Sequence, residues 1–489
     1  MVYPKYPDSF WSFSHILWFK GKKASFPPLG LLTVASMLPR DWEIKLVDLN
    51  VEVLTNATIL WADMVFISAM IVQENSAMEV VARAKALGKI VVVGGPLFTS
   101  HPEKFEIIDH LVLNEAEVTL PSFLTDLENS NPQHIYSDWT KPAITQTPIP
   151  MWSLINLSHY ASMLLQYSRG CPFDCEFCDI TTLFGRVPRV KTPEQMIGEF
   201  QSLFNTGYRG GLFLVDDNFY GNKLHVKKML QLLIPWQKEH NYPFQLLTEV
   251  SINLADDDEM LNLMREANFY NVFVGIESPN VATLVSFGKV QNLGRSLVDS
   301  IRKIQNHGLQ VMGGFIVGGD DDNPHTIFAQ QLNFIQEAGI PVAMVGKLIA
   351  LRMTHLWHRM KKEGRLLRED VSTNTDPTNF STVMGNDVLE RGYRELLTTL
   401  FSSKNYYERL HTLLEHYRPS FKSKTTVADI FAFLHSIWRI GIFSRDNFRY
   451  WHLLIKAWFK NRRAVSVLVT DAIYLLHFRK EARAVCRAK

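Results

Sequence analysis

Three of the chain's four cysteines stand within one short stretch, Ser168-Arg-Gly-Cys171-Pro-Phe-Asp-Cys175-Glu-Phe-Cys178-Asp179, spaced C-x3-C-x2-C, and the fourth, Cys486, lies in the tail. An iron–sulfur cube usually takes four thiolates. Three from one tight loop would leave one iron open to bind and activate a substrate. Gly170 and Pro172 argue for a loop, which lets three sulfurs converge, although i, i+4, i+7 is also a helical face. Two plainer readings compete. Zinc would need a fourth ligand such as histidine, and the nearest of the 16 histidines, His159, is twelve residues before Cys171. The three could also be inert buried thiols. A structural disulfide does not suit four cysteines in 489 residues, a usage that fits a reducing, cytoplasmic compartment.

Around this stretch the chain reads as α/β, and its length suits two or three domains. An apolar content of 46% with 20% charged residues is that of an ordinary globular protein, and a net charge of +2 singles out no partner. Neither a signal peptide nor a run of 18 apolar residues is expected. Residues 1–128 alternate short β-branched runs with helical patterns. Glu43–Asp48, Met64–Ser68, Ile90–Gly94 and His110–Leu113 read as buried parallel strands, with helices at 29–40, 73–87 and 116–127. The first strand is clipped to about three residues after Met1. This pattern predicts an open, doubly wound sheet whose ligands sit beyond the strand carboxyl ends. Asp48, Ser68-Ala-Met70 and Gly94-Gly95-Pro96 occupy those ends.

Residues 129–150, rich in Asn, Ser, Pro and Thr, read as a semi-rigid linker. Six strand-like runs follow at Met163–Tyr167, Gly211–Asp216, Phe244–Glu249, Asn271–Ile276, Val311–Val317 and Pro341–Leu348. Helical patterns separate them at 193–206, 222–239, 256–268, 292–307 and 324–338. Six β-α units are too few for a closed eight-strand barrel and predict an open partial (β/α)6 barrel over residues 151–370. Its strand ends gather Asp216-Asp217-Asn218, Glu249, Ser251, Asn253, Glu277 and Asp320. The plain alternative is that these residues cap the helices that follow. Lys347 lies within an apolar strand and requires a carboxylate partner, an outward path or a substrate.

Residues 371–489 read as a helical, basic extension. From residue 401 there are 17 Lys/Arg against 6 Asp/Glu, interleaved with Trp and Phe over Phe448–Arg463. Such a stretch suits peripheral contact with an anionic membrane surface. The alternative is an amphipathic helix packed on the barrel with a solvated basic face. Nucleic acid is not expected as a partner.

The motif C-x3-C-x-Phe-C, with Phe177 before the third cysteine, resembles the signature of the radical S-adenosylmethionine (SAM) superfamily. The resemblance implies a [4Fe-4S] cube on Cys171, Cys175 and Cys178, with SAM on the fourth iron and a 5′-deoxyadenosyl radical formed on reduction by a donor such as flavodoxin or ferredoxin. It places the methionine amino group at Asp216 and Asp217, ribose or carboxylate at Glu249 and Glu277, and adenine against Phe177 and Gly314–Gly318. Pro27-Pro-Leu-Gly30, Val47-Asp48, Ser68, Val93-Gly-Gly-Pro96 and Leu113-Asn-Glu-Ala-Glu117 resemble the Rossmann-like cobalamin-binding domain found ahead of many radical SAM cores. That implies a corrin against Ser68, Gly94, Gly95 and Glu115. No D-x-H-x-x-G offers a lower axial histidine, and Asn114 stands where relatives have glycine. The whole is similar to the cobalamin-dependent group that includes the hopanoid C-2 methylases. The resemblance thus implies methylation of an unactivated carbon in a small or lipid-like substrate. A ring rearrangement or oxidative cyclisation without methyl transfer, and a non-catalytic cobalamin or redox sensor, are the rival readings.

Overall fold

The computed structural model describes residues 1–369, 376–420, 422 and 426–487. The expected boundary at 370/371 lies outside the described residues.

The first sheet contains β1 (Val2–Tyr3), β2 (Val47–Asp48), β3 (Met64–Ser68), β4 (Ile90–Gly94), β5 (His110–Val112) and β6 (Ile135–Tyr136). The order is β2-β1-β3-β4-β5-β6, and every pairing is parallel. This is a doubly wound sheet whose order reverses between β1 and β3, where such sheets open a crevice. The buried runs Val65–Ile67 and Val91–Val93 explain why the centre holds: both faces are covered, so the strands need no polar alternation. Two details depart from the sequence expectations. The run from Glu43 pairs only at Val47–Asp48, because its partner β1 is itself only two residues long. The semi-rigid stretch 129–150 also carries a strand. Its Ile135–Tyr136 forms the edge strand, and the Tyr136 hydroxyl donates to Asp126 at 2.9 Å.

The second sheet contains β7 (Ser162–Leu165), β10 (Gly210–Leu214), β11 (Phe244–Val250), β12 (Phe269–Glu277), β13 (Gln310–Val317) and β14 (Ala343–Lys347). They are parallel in the order β14-β13-β12-β11-β10-β7. Chain order equals spatial order, so the sheet is the expected partial (β/α)6 barrel. A small antiparallel pair, β8 (Ser168–Arg169) with β9 (Arg189–Val190), flanks the cysteine loop. The strand-end carboxylates are not the helix caps. Those are Thr192, Asp257, Ser296 and Thr354, whose side chains accept from the backbone N–H of Gln195, Met260, Asp299 and Trp357. The helices at 258–266 and 297–306 start later than their apolar patterns suggest because these caps fix their first turns.

The C-terminal helices Asn386–Leu400, Ser403–His416, Asn447–Lys460 and Val465–Arg487 share one continuous apolar core with the barrel. The N-terminal segment reaches the same core. Phe10 stacks on Phe401 at 5.6 Å, His477 Nε2 donates to the carbonyls of Ser9 and Phe10, and His15 pairs with Glu481 at 2.6 Å. Lys347 reaches a carboxylate, that of Glu390, and lies over the Tyr393 ring at 5.1 Å. Its side chain is 1% exposed against 25% for Glu390. The two halves of this pair are therefore unequal. Glu390→Ala strands a buried ammonium and is expected to cost about 3–5 kcal/mol, whereas Lys347→Met is expected to be near neutral. Urea melts of both variants check the order, and equal costs would contradict it.

Asp471, buried in the last long helix, accepts from Gln310 Nε2 at 2.8 Å, and burial pushes its carboxyl up to about 8. The folded chain keeps this proton where the unfolded chain has released it. The stability it contributes is full below about pH 4 and is lost as pH rises through 8. Asp471→Asn is expected to raise Tm by a few degrees at pH 8 and to leave it unchanged at pH 4.

Candidate active site at the barrel mouth

The cysteine loop leaves β7 and is fixed from three sides. Asp216 Oδ1, just past β10, accepts from the N–H of Tyr167 at 2.7 Å and of Ser168 at 2.5 Å, and Asp217 Oδ2 accepts from Gly170 N–H at 2.7 Å. Gly170 has φ +97°, and a Cβ there would lie 2.8 Å from Gly185 O, so only glycine fits this turn. On the far side Glu176 N–H donates to Phe287 O at 2.9 Å. The Glu176 carboxylate takes Arg359 at 2.5 and 3.0 Å, and Arg359 and Arg365 both hold Asp320. The backbone is thus set by groups outside the loop, which leaves the three sulfurs free for a ligand.

Cys175 is buried, while Cys171 and Cys178 are half-buried. Burial raises all three thiols above their ordinary range. A metal is therefore needed to hold them as thiolates. The three Sγ atoms do not all lie within 4.8 Å of one another. Tetrahedral zinc with bonds of about 2.3 Å would bring its sulfurs to about 3.8 Å apart, closer than this set. Amide donors approach the sulfurs: Asn218 Nδ2 is 3.8 Å from Cys171 and Gln291 Nε2 is 4.0 Å from Cys175. Lys289 acts on Cys175 and Cys178 through its charge, and its Nζ sits 2.7 Å from Glu277 Oε1. Such hydrogen bonds and positive charge favour the reduced, more negative state of a cluster.

Above the loop, Asp216, Asp217 and Glu249 come together. Burial pushes them up to about 7, 6 and 8 respectively, reinforced by Asp217 acting on Asp216, by Asp179 acting on Asp217, and by Asp217 and Asp216 acting on Glu249. Asp216 Oδ2 is buried without a hydrogen-bond partner, and the half-buried Glu249 lies near it. Three converging carboxyls, one with an unused oxygen, are receptive to a cation. The amino group and sulfonium of SAM fit that chemistry, with Asp216 and Glu249 as the residues that would hold them.

The other expected SAM residues are placed differently. The Glu277 carboxylate is engaged by Lys289, and its backbone has φ +64° at an irregular step between β12 and β13. Phe177 packs edge-on to Phe287 at 5.3 Å. Gly314 makes room for the Phe273 ring, which a Cβ would meet at 2.8 Å. Gly318, at φ +103°, lies against Leu389, and its N–H donates to Asp322. Lys289 and Gln291 carry no motif in the sequence; they come from the turn that follows the short helix Val281–Ser286.

On the first sheet, Ser68, Gly94 and Gly95 do meet. Gly95 has φ +94°, and a Cβ there would lie 2.7 Å from Ser68 Oγ; one on Gly94 would lie 2.8 Å from Val112 O. They form a backbone ledge at the carboxyl ends of β3 and β4, beside the β1/β3 switch point. Asn114 adopts φ +64°, the left-handed conformation for which glycine is otherwise used, and its Oδ1 accepts from Ser137 and Asp138. Glu115 turns elsewhere: its carboxylate holds Arg189 at 2.7 Å and Arg169 at 2.8 Å, across to the barrel. Asp48 is likewise a strut, accepting from the Tyr160 hydroxyl at 2.9 Å.

Comparison with known proteins agrees with this architecture. Residues 23–124 match the B12 binding domain, residues 165–329 the radical SAM superfamily, and residues 354–489 a domain of unknown function, DUF4070. The chain is 43% identical over 92% of its length to an uncharacterized methyltransferase of Synechocystis, covering 86% of that protein. It is 35% identical over 98% of its length to the hopanoid C-2 methylase of Rhodopseudomonas palustris, covering 93% of it. The fold is shared with the cobalamin-dependent radical SAM enzyme OxsB with aqua-cobalamin bound (TM-score 0.62, 14% identity, 94% of this chain and 78% of that one). It is shared also with the radical SAM methyltransferase TsrM of Kitasatospora setae with cobalamin and a [4Fe-4S] cluster bound (TM-score 0.61, 14% identity, 96% and 98%). With a B12 binding domain, a radical SAM half-barrel and full-length similarity to a hopanoid methylase, the chain belongs to the cobalamin-dependent radical SAM methyltransferase family.

Proposed function

We propose that this enzyme methylates an unactivated carbon of an apolar substrate of the hopanoid type. Cys171, Cys175 and Cys178 would hold a [4Fe-4S] cluster, Asp216 and Glu249 would hold SAM, and the ledge at Ser68, Gly94 and Gly95 would carry cobalamin. When bound, the cluster with SAM supplies hydrogen abstraction from carbon and cobalamin supplies the methyl group. The chain's own residues supply the rest. Asp216 and Asp217 fix the loop backbone through three N–H groups, so the sulfurs keep one geometry. Glu249 and the free oxygen of Asp216 orient a cation above them. Arg169 and Arg189 hold Glu115 and Glu117, which keeps the corrin ledge and the cysteine loop on one rigid frame. An external one-electron donor, flavodoxin or ferredoxin, would complete the system.

The observation that carries this reading is the buried, unpaired Oδ2 of Asp216 beside three undisulfided cysteines, in a chain similar along 98% of its length to a hopanoid methylase. The test is anaerobic turnover with methyl-labelled SAM, cobalamin and hopanoid-containing lipid. Label is expected in the lipid fraction. SAM cleavage with no label transferred would favour rearrangement or cyclisation instead.

A further inference from the structure

The helices Val427–Ser436 and Asn447–Lys460 are apolar on the wrong side as well as the right one. In the second, Tyr450, Leu453, Leu454 and Ala457 are buried against the body. On the opposite side Phe448, Trp451, Ile455, Trp458 and Phe459 are exposed, at 79, 39, 55, 51 and 84%. Their spacing of three and four residues puts them on one stripe. In the first helix Val427, Ile430, Phe431, Leu434 and, one turn on, Trp438 form a second exposed stripe, and Ile442 and Phe443 bridge the two. Monomeric soluble proteins rarely leave contiguous apolar surface of this kind uncovered.

The polar residues around the stripes identify the cover. Between Val427 and Arg463 there are seven Lys/Arg and two Asp. Both acids are already engaged, Asp429 by Lys20 and Asp446 by Arg479. Arg439, Arg445 and Arg449 are exposed. Behind Phe443 opens a cleft of about 640 Å³ whose lining includes Arg439, Arg445, Arg479 and Arg483, with Asp446 as its single acid among the described residues. Among the described residues no helix is long and apolar enough to cross a membrane. Exposed Trp and Phe stripes with interleaved arginines are the composition of a helix lying in the headgroup plane.

We infer that the Val427–Lys460 face docks on an anionic phospholipid bilayer, with its Trp and Phe side chains in the acyl boundary and a lipid phosphate in the arginine-lined cleft. The inference stands apart from the proposed reaction, because its test measures no turnover. The full chain is sedimented at low salt with vesicles of phosphatidylcholine containing about one-third phosphatidylglycerol, and with pure phosphatidylcholine. Capture by the anionic vesicles is expected. It should fall at least about tenfold in Phe448→Asp/Phe459→Asp, and in Arg439→Glu/Arg445→Glu should fall to the level seen with phosphatidylcholine. Circular dichroism melts check that both variants fold, and Trp438→Ala serves as a milder variant should either fail to fold. A wild-type chain left in the supernatant with anionic vesicles overturns the inference. If sedimentation velocity then shows a dimer that Phe448→Asp/Phe459→Asp dissociates, a second copy covers this face instead.

Discussion

Cys175→Ala is expected to take the reconstituted protein from about four irons per chain to none and to reduce SAM cleavage to background. Cys175 is the most buried of the three loop cysteines, and its neighbours are arranged for a thiolate: Gln291 Nε2 points at the sulfur and Lys289 supplies positive charge. Alanine removes the ligand but not the frame, because Glu176 still bonds Phe287 and Arg359. Folding and cobalamin uptake by the first sheet should therefore survive. The control is Cys486→Ala. That thiol sits 3.5 Å from the Thr398 hydroxyl, far from the loop in the fold, and its loss should change nothing. Iron analysis and the visible absorption of the cluster decide the matter. A Cys175→Ala protein that kept its full iron would show that these cysteines are not the ligands.

Arg169→Met is expected to cost about 3–5 kcal/mol in stability, because it removes one side of a buried charge network while leaving the other. Arg169 and Arg189 face each other across the β8/β9 pair, where like charges would repel. Glu115 and Glu117, with side chains 3% and 5% exposed, hold them in place from the start of the helix Ala116–Glu128. Without Arg169, Glu117 keeps its bonds from the Thr147 hydroxyl at 2.6 Å and from its own backbone N–H, neither of which carries a charge. Arg169→Met/Glu117→Gln should recover much of the loss. Burial pushes the Glu117 carboxyl up, but the charge and hydrogen bonds of Arg169 outweigh it and hold it below the usual range. A depressed carboxylate contributes stability above its ordinary value near 4.5 and loses it as pH falls. The deficit of Arg169→Met should therefore be full at pH 7 and shrink below about pH 4.5. A deficit that did not change with pH would mean the arginine acts through packing alone.

How much of this was legible in the sequence follows from the range of each signal. The six barrel strands could be read because each is a short, largely apolar run separated from the next by a helical period; β13 and β14 are buried almost throughout, while β11 alternates. The cysteine loop could be read because its ligands are local. Lys289 and Gln291 could not, since their turn comes beside Cys175 only once β12 has packed. Asn114 could be located but not understood, because its left-handed backbone is a property of the turn. Gly314 and Gly318 were visible as glycines, yet the rings and branches they make room for come from Phe273 and Leu389. Ile135–Tyr136 is too short a strand to emerge from a Pro- and Ser-rich stretch. The contact of His477 with Ser9 and Phe10 joins residues 467 or more apart and leaves no local trace. The exposed stripes at 427–460 were legible as aromatic and basic, but which side of each helix is bare became clear only in the fold.

We propose that one site couples SAM cleavage to methyl transfer through cobalamin. The most direct measurement is the yield of 5′-deoxyadenosine and S-adenosylhomocysteine, by mass spectrometry, from anaerobic protein with a full cluster, a strong reductant, SAM, substrate lipid and cobalamin. Both products are expected in equal amounts per methylated lipid, with S-adenosylhomocysteine lost when cobalamin is omitted. 5′-Deoxyadenosine formed without S-adenosylhomocysteine would contradict this coupling.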